Sequence, residues 1–250
     1  MSAILKATNV TKRFRQGGSE TTVLNGVSVQ VSEGEFVAVM GPSGSGKSTL
    51  LYCLSGMDTF DSGEVNLAGH DLGVLTGDER ATLRGRTMGF VFQDPNLIEA
   101  LTVLDNVLLA ASLQGKAAPE QLLARAHTLL HLTGLEGLAQ RSVHQISGGQ
   151  RQRVSLCRAL LHEPAILFGD EPTGALNARS SAEIVALLER INASGTTMLI
   201  VTHDPRVAAR ASRVLFLSDG QVVSDQRLGK ELTPEQRERT VADAMIQLEI

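Results

Sequence analysis

One short stretch limits the folds open to this 250-residue chain more than any other. Gly41-Pro42-Ser43-Gly44-Ser45-Gly46-Lys47-Ser48-Thr49 fits the pattern G-x-x-x-x-G-K-[ST]. An apolar β-type run, Glu35 to Met40, leads into it, and a helical run, Thr49 to Leu54, follows. Glycines at these positions let the backbone wrap a polyphosphate and aim N–H groups at its oxygens. The helix start adds partial positive charge. Lys47 has the reach for the β- and γ-phosphates, and the Ser48 hydroxyl is a ligand type for Mg²⁺. The bland alternative is a glycine-rich turn with a stray lysine.

Downstream, Ala165 to Phe168 reads as an apolar strand that ends in Gly169-Asp170-Glu171. A parallel strand beside the one feeding the glycine loop would bring Asp170 to the metal, with Glu171 free to polarise a water. Taken alone, this run is equally an ordinary acidic turn.

A third signal, Ile146-Ser147-Gly148-Gly149-Gln150-Arg151, precedes a helix. Ser147 is a good N-cap, and the two glycines are expected to expose N–H groups at the helix start, a second anion cradle. Two cradles so far apart in sequence make sense if the second serves a neighbouring copy.

The rest of the chain reads as strands and turns over 3–36, with Val27, Val29 and Val31 alternating with polar residues. Gly17-Gly18-Ser19 is a turn signal. A short helix is expected over 78–84 and a strand over Met88–Phe92. From Thr102 to Leu138 the composition turns helical: Thr102 caps one helix, and Pro119 starts another with Leu122, Leu123, Ala126, Leu129 and Leu130 on its apolar face. Strands at Ile166–Phe168, Met198–Val201 and Val214–Leu217 alternate with helices, the rhythm of parallel β–α units. The tail from Thr233 reads as a solvated helix.

Composition narrows the function. A net charge of −4 argues against nucleic-acid binding. Cys53 and Cys157 sit in apolar helical runs with no metal spacing and are expected as buried thiols. No leader pattern or run of about 20 apolar residues is present. The expectation is a cytoplasmic protein that meets a membrane only through a partner.

The glycine loop, acidic strand and Ile-Ser-Gly-Gly-Gln segment, in this order, resemble the ATP-binding-cassette ATPases over nearly the whole chain. That resemblance implies a P-loop α/β core with a parallel sheet, an N-terminal antiparallel β subdomain and an inserted α-helical subdomain. The core would span about 1–92 and 160–225, the helical insert about 93–159, and a helical tail about 226–250. It implies ATP and Mg²⁺ as cofactors. Gly41 through Thr49 match the Walker A loop; Asp170 the Walker B aspartate; Glu171 the catalytic glutamate. Gln93 matches a glutamine that contacts metal and attacking water, His203 a switch histidine at the γ-phosphate. Ser147, Gly148, Gly149 and Gln150 match the signature that completes the site of an opposing subunit. Phe14 stands where an aromatic stacks on adenine; otherwise it is a core Phe at a strand end.

The resemblance further implies a homodimer closed by ATP and docked on an integral-membrane permease at the inner face of the membrane. The segment Asp94 to Ile98 and the helix beyond are the expected docking groove, although Leu97, Ile98, Leu101 and Val103 read equally as core. The runs Phe90-Val91-Phe92-Gln93, Leu101 to Val107 and Asp170 to Leu176 are similar to the branch of lipoprotein-releasing, macrolide-efflux and antimicrobial-peptide-resistance ATPases. One position departs from the family: Asn177 stands where Asp usually ends the loop after the acidic strand. A regulatory ATPase signalling through a membrane partner, and a soluble cassette of repair or translation, are the competing classes.

Overall fold

The computed structural model describes residues 2–16, 18–112, 118–229 and 231–249. Gly17 of the expected turn, and residues 113–117 of the expected helical insert, lie outside the described residues.

Two sheets organise the described residues. The first is antiparallel, in the order β2-β1-β4-β5. Its strands are β1 (Ala3–Gln16), β2 (Ser19–Ser32), β4 (Ser62–Leu67) and β5 (His70–Asp71). The sequence reads 3–36 as short strands, but β1 and β2 are 14 residues each, paired with several register shifts. Those irregularities let a long hairpin bend around its core. Val27, Val29 and Val31 are buried between exposed neighbours, as their alternation predicts.

The second sheet has six strands in the order β10-β9-β3-β8-β7-β6. They are β3 (Phe36–Met40), β6 (Met88–Phe92), β7 (Ile166–Asp170), β8 (Thr197–Val201), β9 (Arg213–Ser218) and β10 (Gln221–Arg227). All pairings are parallel except β9 with β10. The expected adjacency of the loop strand and the acidic strand does not occur, because β8 lies between β3 and β7. Strand order is a tertiary choice that no local pattern encodes.

β3, β7 and β8 are nearly all buried, so the sheet is covered on both faces. Alternate residues feed separate cores. Phe36, Ala38, Met40, Leu167, Met198 and Ile200 face one cluster. It is packed by helices α3 (Val103–Ser112), α4 (Pro119–Leu132), α5 (Gly148–Leu160) and α6 (Ala178–Ala193). Val37, Val39, Ile166, Phe168, Leu199 and Val201 face the other, with α1 (Lys47–Leu54) and the antiparallel sheet.

Helix α2 (Gly77–Thr87) is longer than expected at both ends, because a reciprocal Thr76–Glu79 capping box fixes its start. Thr102 caps α3 through Asp105, as expected. On α4, Ala126, Leu129 and Leu130 are buried, but Leu123 is 41% exposed and lies off the apolar stripe. Cys53 and Cys157 are free and buried.

After the four-residue α7 (Pro205–Ala208), the C-terminal α8 (Pro234–Gln247) departs from the solvated tail expected. Val241 and Ala244 are buried in the helical core cluster, and Arg210 pairs with Glu238. Two apolar positions three apart suffice to anchor a helix that is otherwise charged. Among the described residues, no helix is long and apolar enough to cross a membrane.

Candidate active site

Parallel sheets expose the carboxyl ends of their strands as a binding crevice. Four adjacent strands deliver four segments to that edge. β3 runs into the glycine loop, β8 into His203, β7 into Asp170 and Glu171, and β6 into Gln93.

The loop geometry follows from its glycines. Gly44 and Gly46 have φ of +82° and +99°, which L side chains rarely adopt. A Cβ on Gly46 would lie 2.8 Å from the Val23 carbonyl oxygen, and one on Gly41 would overlap the Leu217 carbonyl. Gly44 faces open space. Loop and hairpins are laced together: Gly220 N–H donates to the Ser45 carbonyl, and Asn25 N–H to that of Gly220. Gly46 is the N-cap of α1, whose first turn carries no acid and whose cap has no side-chain acceptor. The first N–H groups of that helix are thus available to an anion. The Ser45 hydroxyl is buried with no hydrogen-bond partner.

Lys47 Nζ donates to the carbonyls of Gly41 and Pro42, at 2.9 and 2.8 Å. Burial pushes its pKa down, and Glu171 and Asp170 pull it back up. Ser48 Oγ donates to Asp170 Oδ1 at 2.9 Å. The second oxygen, Oδ2, accepts from Tyr52 Oη at 2.8 Å. Nothing in the sequence pattern singles out Tyr52; a tyrosine in an apolar helix reads as core.

Glu171 has φ of +50°, strained for a non-glycine residue, and its Oε2 lies 2.9 Å from His203 Nδ1. The same oxygen accepts from the His203 N–H. Gln93 packs so closely on Gly174 that a Cβ there would lie 3.2 Å from its amide. Gln93, Ser48, Tyr52, Asp170, Glu171 and Ala175 line one cavity of about 610 Å³.

The residues Ser147 to Gln150 do not line it. Ser147 is the N-cap of α5 in a reciprocal box with Gln150. Gly148 is exposed, but Gly149 is not: a Cβ there would lie 2.6 Å from Ser180 Oγ. Gly149 is glycine because α5 and α6 meet there. Asn177 is the N-cap of α6, accepting from Ser180 N–H at 2.9 Å. A capping role asks for an oxygen rather than a charge.

Phe14 is 46% exposed, which overturns the core alternative, and the Lys12 ammonium sits 5.1 Å from its ring centre. Of the expected docking segment, Val103 is fully buried core and Leu97 packs on it, whereas Ile98 is 44% exposed. Buried Asn106 holds that segment by exchanging hydrogen bonds with the Ile98 backbone.

A glycine cradle at a helix start, next to a hydroxyl–carboxylate pair at the carboxyl edge of a parallel sheet, defines a P-loop nucleotide-binding domain. The model of the ABC transporter family matches residues 24–174. The lipoprotein-releasing system ATP-binding protein LolD of Anaeromyxobacter dehalogenans is 45% identical over 223 residues, 88% of this chain and 93% of its own. The macrolide export ATP-binding/permease protein MacB 1/2 of Paracoccus denitrificans is 44% identical over 90% of this chain, but only 34% of its own length is matched. The chain thus spans about a third of the macrolide-export relatives. A solved ATP-binding cassette, a post-hydrolysis dimer bound to ADP and Pi, superposes with a TM-score of 0.83. It is 39% identical, over 90% of this chain and 99% of its own. The chain belongs to the ABC transporter family.

Proposed function

We propose that this chain is the ATP-hydrolysing subunit of an export or extraction transporter, closing as a homodimer around ATP on the cytoplasmic side of a membrane permease. The observation that carries the reading is the arrangement at the sheet edge. Ser48, Gln93, Asp170 and Glu171 line one cavity; Ser48 follows directly on the glycine cradle and His203 pairs with Glu171, while Ser147 and Gly148 lie exposed outside it. A site so divided is completed by the signature of a second copy. Similarity to a dimeric cassette supports it.

The residues fit the cofactors. Gly41 and Gly46 of the loop leave no room for a Cβ, Gly44 faces open space, and the Ser45 hydroxyl is buried without a partner, as a loop built around an anion would have it. The donors beside it are hard oxygens: the Ser48 hydroxyl, the Asp170 carboxylate and the Gln93 amide. No cluster of three His, Cys, Asp or Glu that could hold a metal occurs among the described residues. That donor set suits Mg²⁺, which takes few protein ligands beside phosphates and water. Mg²⁺ would neutralise charge on the phosphates.

The chain's own groups then have separate tasks. Lys47 leaves its loop carbonyls for phosphate oxygens. Phe14 offers its exposed face to adenine, steadied by Lys12. Glu171 accepts the proton of the attacking water, and His203, paired with it, holds its carboxylate while reaching the γ-phosphate. Ser147 and Gly148 of the partner copy close over the nucleotide. Gln93 senses the phosphate side, and its support on Gly174 links it to the loop that leads to Asn177 and α6.

The permease contact is best served by the groove between α2, β6 and α5. It is a cavity of about 640 Å³ lined by Met57, Arg84, Phe90, Phe92, Arg158 and His162. Arg158 also holds the carbonyls of Pro95 and Asn96, so occupancy there bears on the segment after Gln93. The test is purification of the tagged chain from its own membranes in detergent. A stoichiometric multi-span protein, and ATP-dependent movement of a substrate in vesicles made from the pair, are expected. A chain recovered alone from the soluble fraction would contradict the reading.

A further inference from the structure

Helix α1 presents two hydroxyls to a single carboxylate. Ser48 and Tyr52 lie four residues apart, on one face of the helix. Ser48 Oγ donates to Oδ1 of Asp170 and Tyr52 Oη to Oδ2, at 2.9 and 2.8 Å. The Tyr52 ring is half-buried against the core cluster beneath the sheet, and its backbone carbonyl accepts from Asp58 N–H. The ring is therefore held by packing and its hydroxyl by the carboxylate. Its oxygen reaches the carboxylate without being part of the glycine cradle.

We infer that Tyr52 is a positioning residue for the metal site: by occupying Oδ2 of Asp170 it fixes the plane of the carboxylate and leaves Oδ1 as the oxygen turned to Ser48 and the cation. A carboxylate free to rotate would present either oxygen, or both. With one lone-pair set committed to a neutral donor, it presents one oxygen in one direction. Outer partners of this kind tune metal affinity by orienting the ligand. The inference rests on the reading that Ser48 and Asp170 serve Mg²⁺.

The chain supplies its own probe, since Tyr52 is its sole tyrosine and it has no tryptophan. The experiment uses the full chain, a fluorescent ATP analogue, and either Mg²⁺ or EDTA. In the wild type, Mg²⁺ should tighten analogue binding, and Mg²⁺ with ATP should change the Tyr52 emission. Mn²⁺ should bind the nucleotide-loaded protein, as read by electron paramagnetic resonance. Tyr52→Phe keeps the ring and loses the hydroxyl. Its apparent Mg²⁺ and Mn²⁺ affinities should fall about tenfold, with binding of the analogue in EDTA unchanged. An unaltered metal titration in Tyr52→Phe would overturn the inference and leave the metal reading standing. An equal loss in EDTA would also overturn it, by making Tyr52 a structural support. If the wild type binds the analogue equally with and without Mg²⁺, the metal reading fails and takes this inference with it.

Discussion

Glu171 and His203 are joined twice. One oxygen of the carboxylate, Oε2, accepts from the His203 backbone N–H and lies 2.9 Å from Nδ1 of the same residue. The positive φ of Glu171 is what turns its side chain across from the end of β7 to the end of β8. Glu171→Gln keeps the shape and an acceptor oxygen but cannot take a proton. Steady-state turnover should fall about 100- to 1,000-fold, the range of a lost general base, while the affinity for ATP stays within about twofold. Hydrolysis at the wild-type rate would remove Glu171 from the role of base.

His203→Ala should also cut turnover, by removing the group that holds Glu171. The fall should appear in kcat more than in KM, because His203 contributes little to the cradle. A change confined to KM would mean that His203 only helps to bind the nucleotide.

Tyr52 has its pKa pushed up to about 12, first by burial and then by its hydrogen bond to Asp170. A raised value in an acid means that the fold favours the neutral phenol. The stability this contributes is complete below the unfolded value of about 10 and is lost as pH climbs through 12. At about pH 11 the unfolded chain should show tyrosinate absorbance and the folded chain should not. Since there is one tyrosine, the signal is unambiguous. Equal titration in native buffer and in denaturant would contradict the buried, hydrogen-bonded phenol.

Gly89 on β6 is glycine because α5 lies on it. A Cβ there would be 2.5 Å from the Ala159 carbonyl oxygen and 2.9 Å from Leu167 Cδ1. Gly89→Ala should cost about 1–3 kcal/mol, the usual range for overpacking. A urea melt measures it, and an unchanged midpoint would show that the helix gives way freely.

Val241→Ala tests the docked tail. Removing two buried methyl groups should destabilise the domain by about 2 kcal/mol, with nucleotide affinity unaltered. No change in the urea midpoint would return α8 to the solvent.

These outcomes track what a sequence can and cannot state. The glycine loop and the acidic strand end are legible as local strand-to-loop patterns with their chemistry attached, whereas Gln93 and His203 are legible only through the family resemblance. The place of β8 between β3 and β7 is not legible, since neither strand carries a mark of its neighbour. Tyr52 was invisible for a related reason. Its partner lies 118 residues away, and its own helix explains it adequately as core. The contact of Ser180 with Gly149 is hidden likewise, because a glycine's sequence context does not reveal what lies against it. Val241 and Ala244 were too few to stand out in a charged tail, and Val103 became core only when α3 found α5.

Closure of two copies around ATP is the central claim, and sedimentation of the Glu171→Gln chain with saturating Mg²⁺ and ATP tests it most directly. A dimer is predicted with ATP and a monomer without it, and adding Ser147→Arg should leave ATP binding intact yet hold the chain as a monomer. A Glu171→Gln chain that stays monomeric with ATP bound, or one that dimerises equally well with Ser147→Arg, would contradict the account.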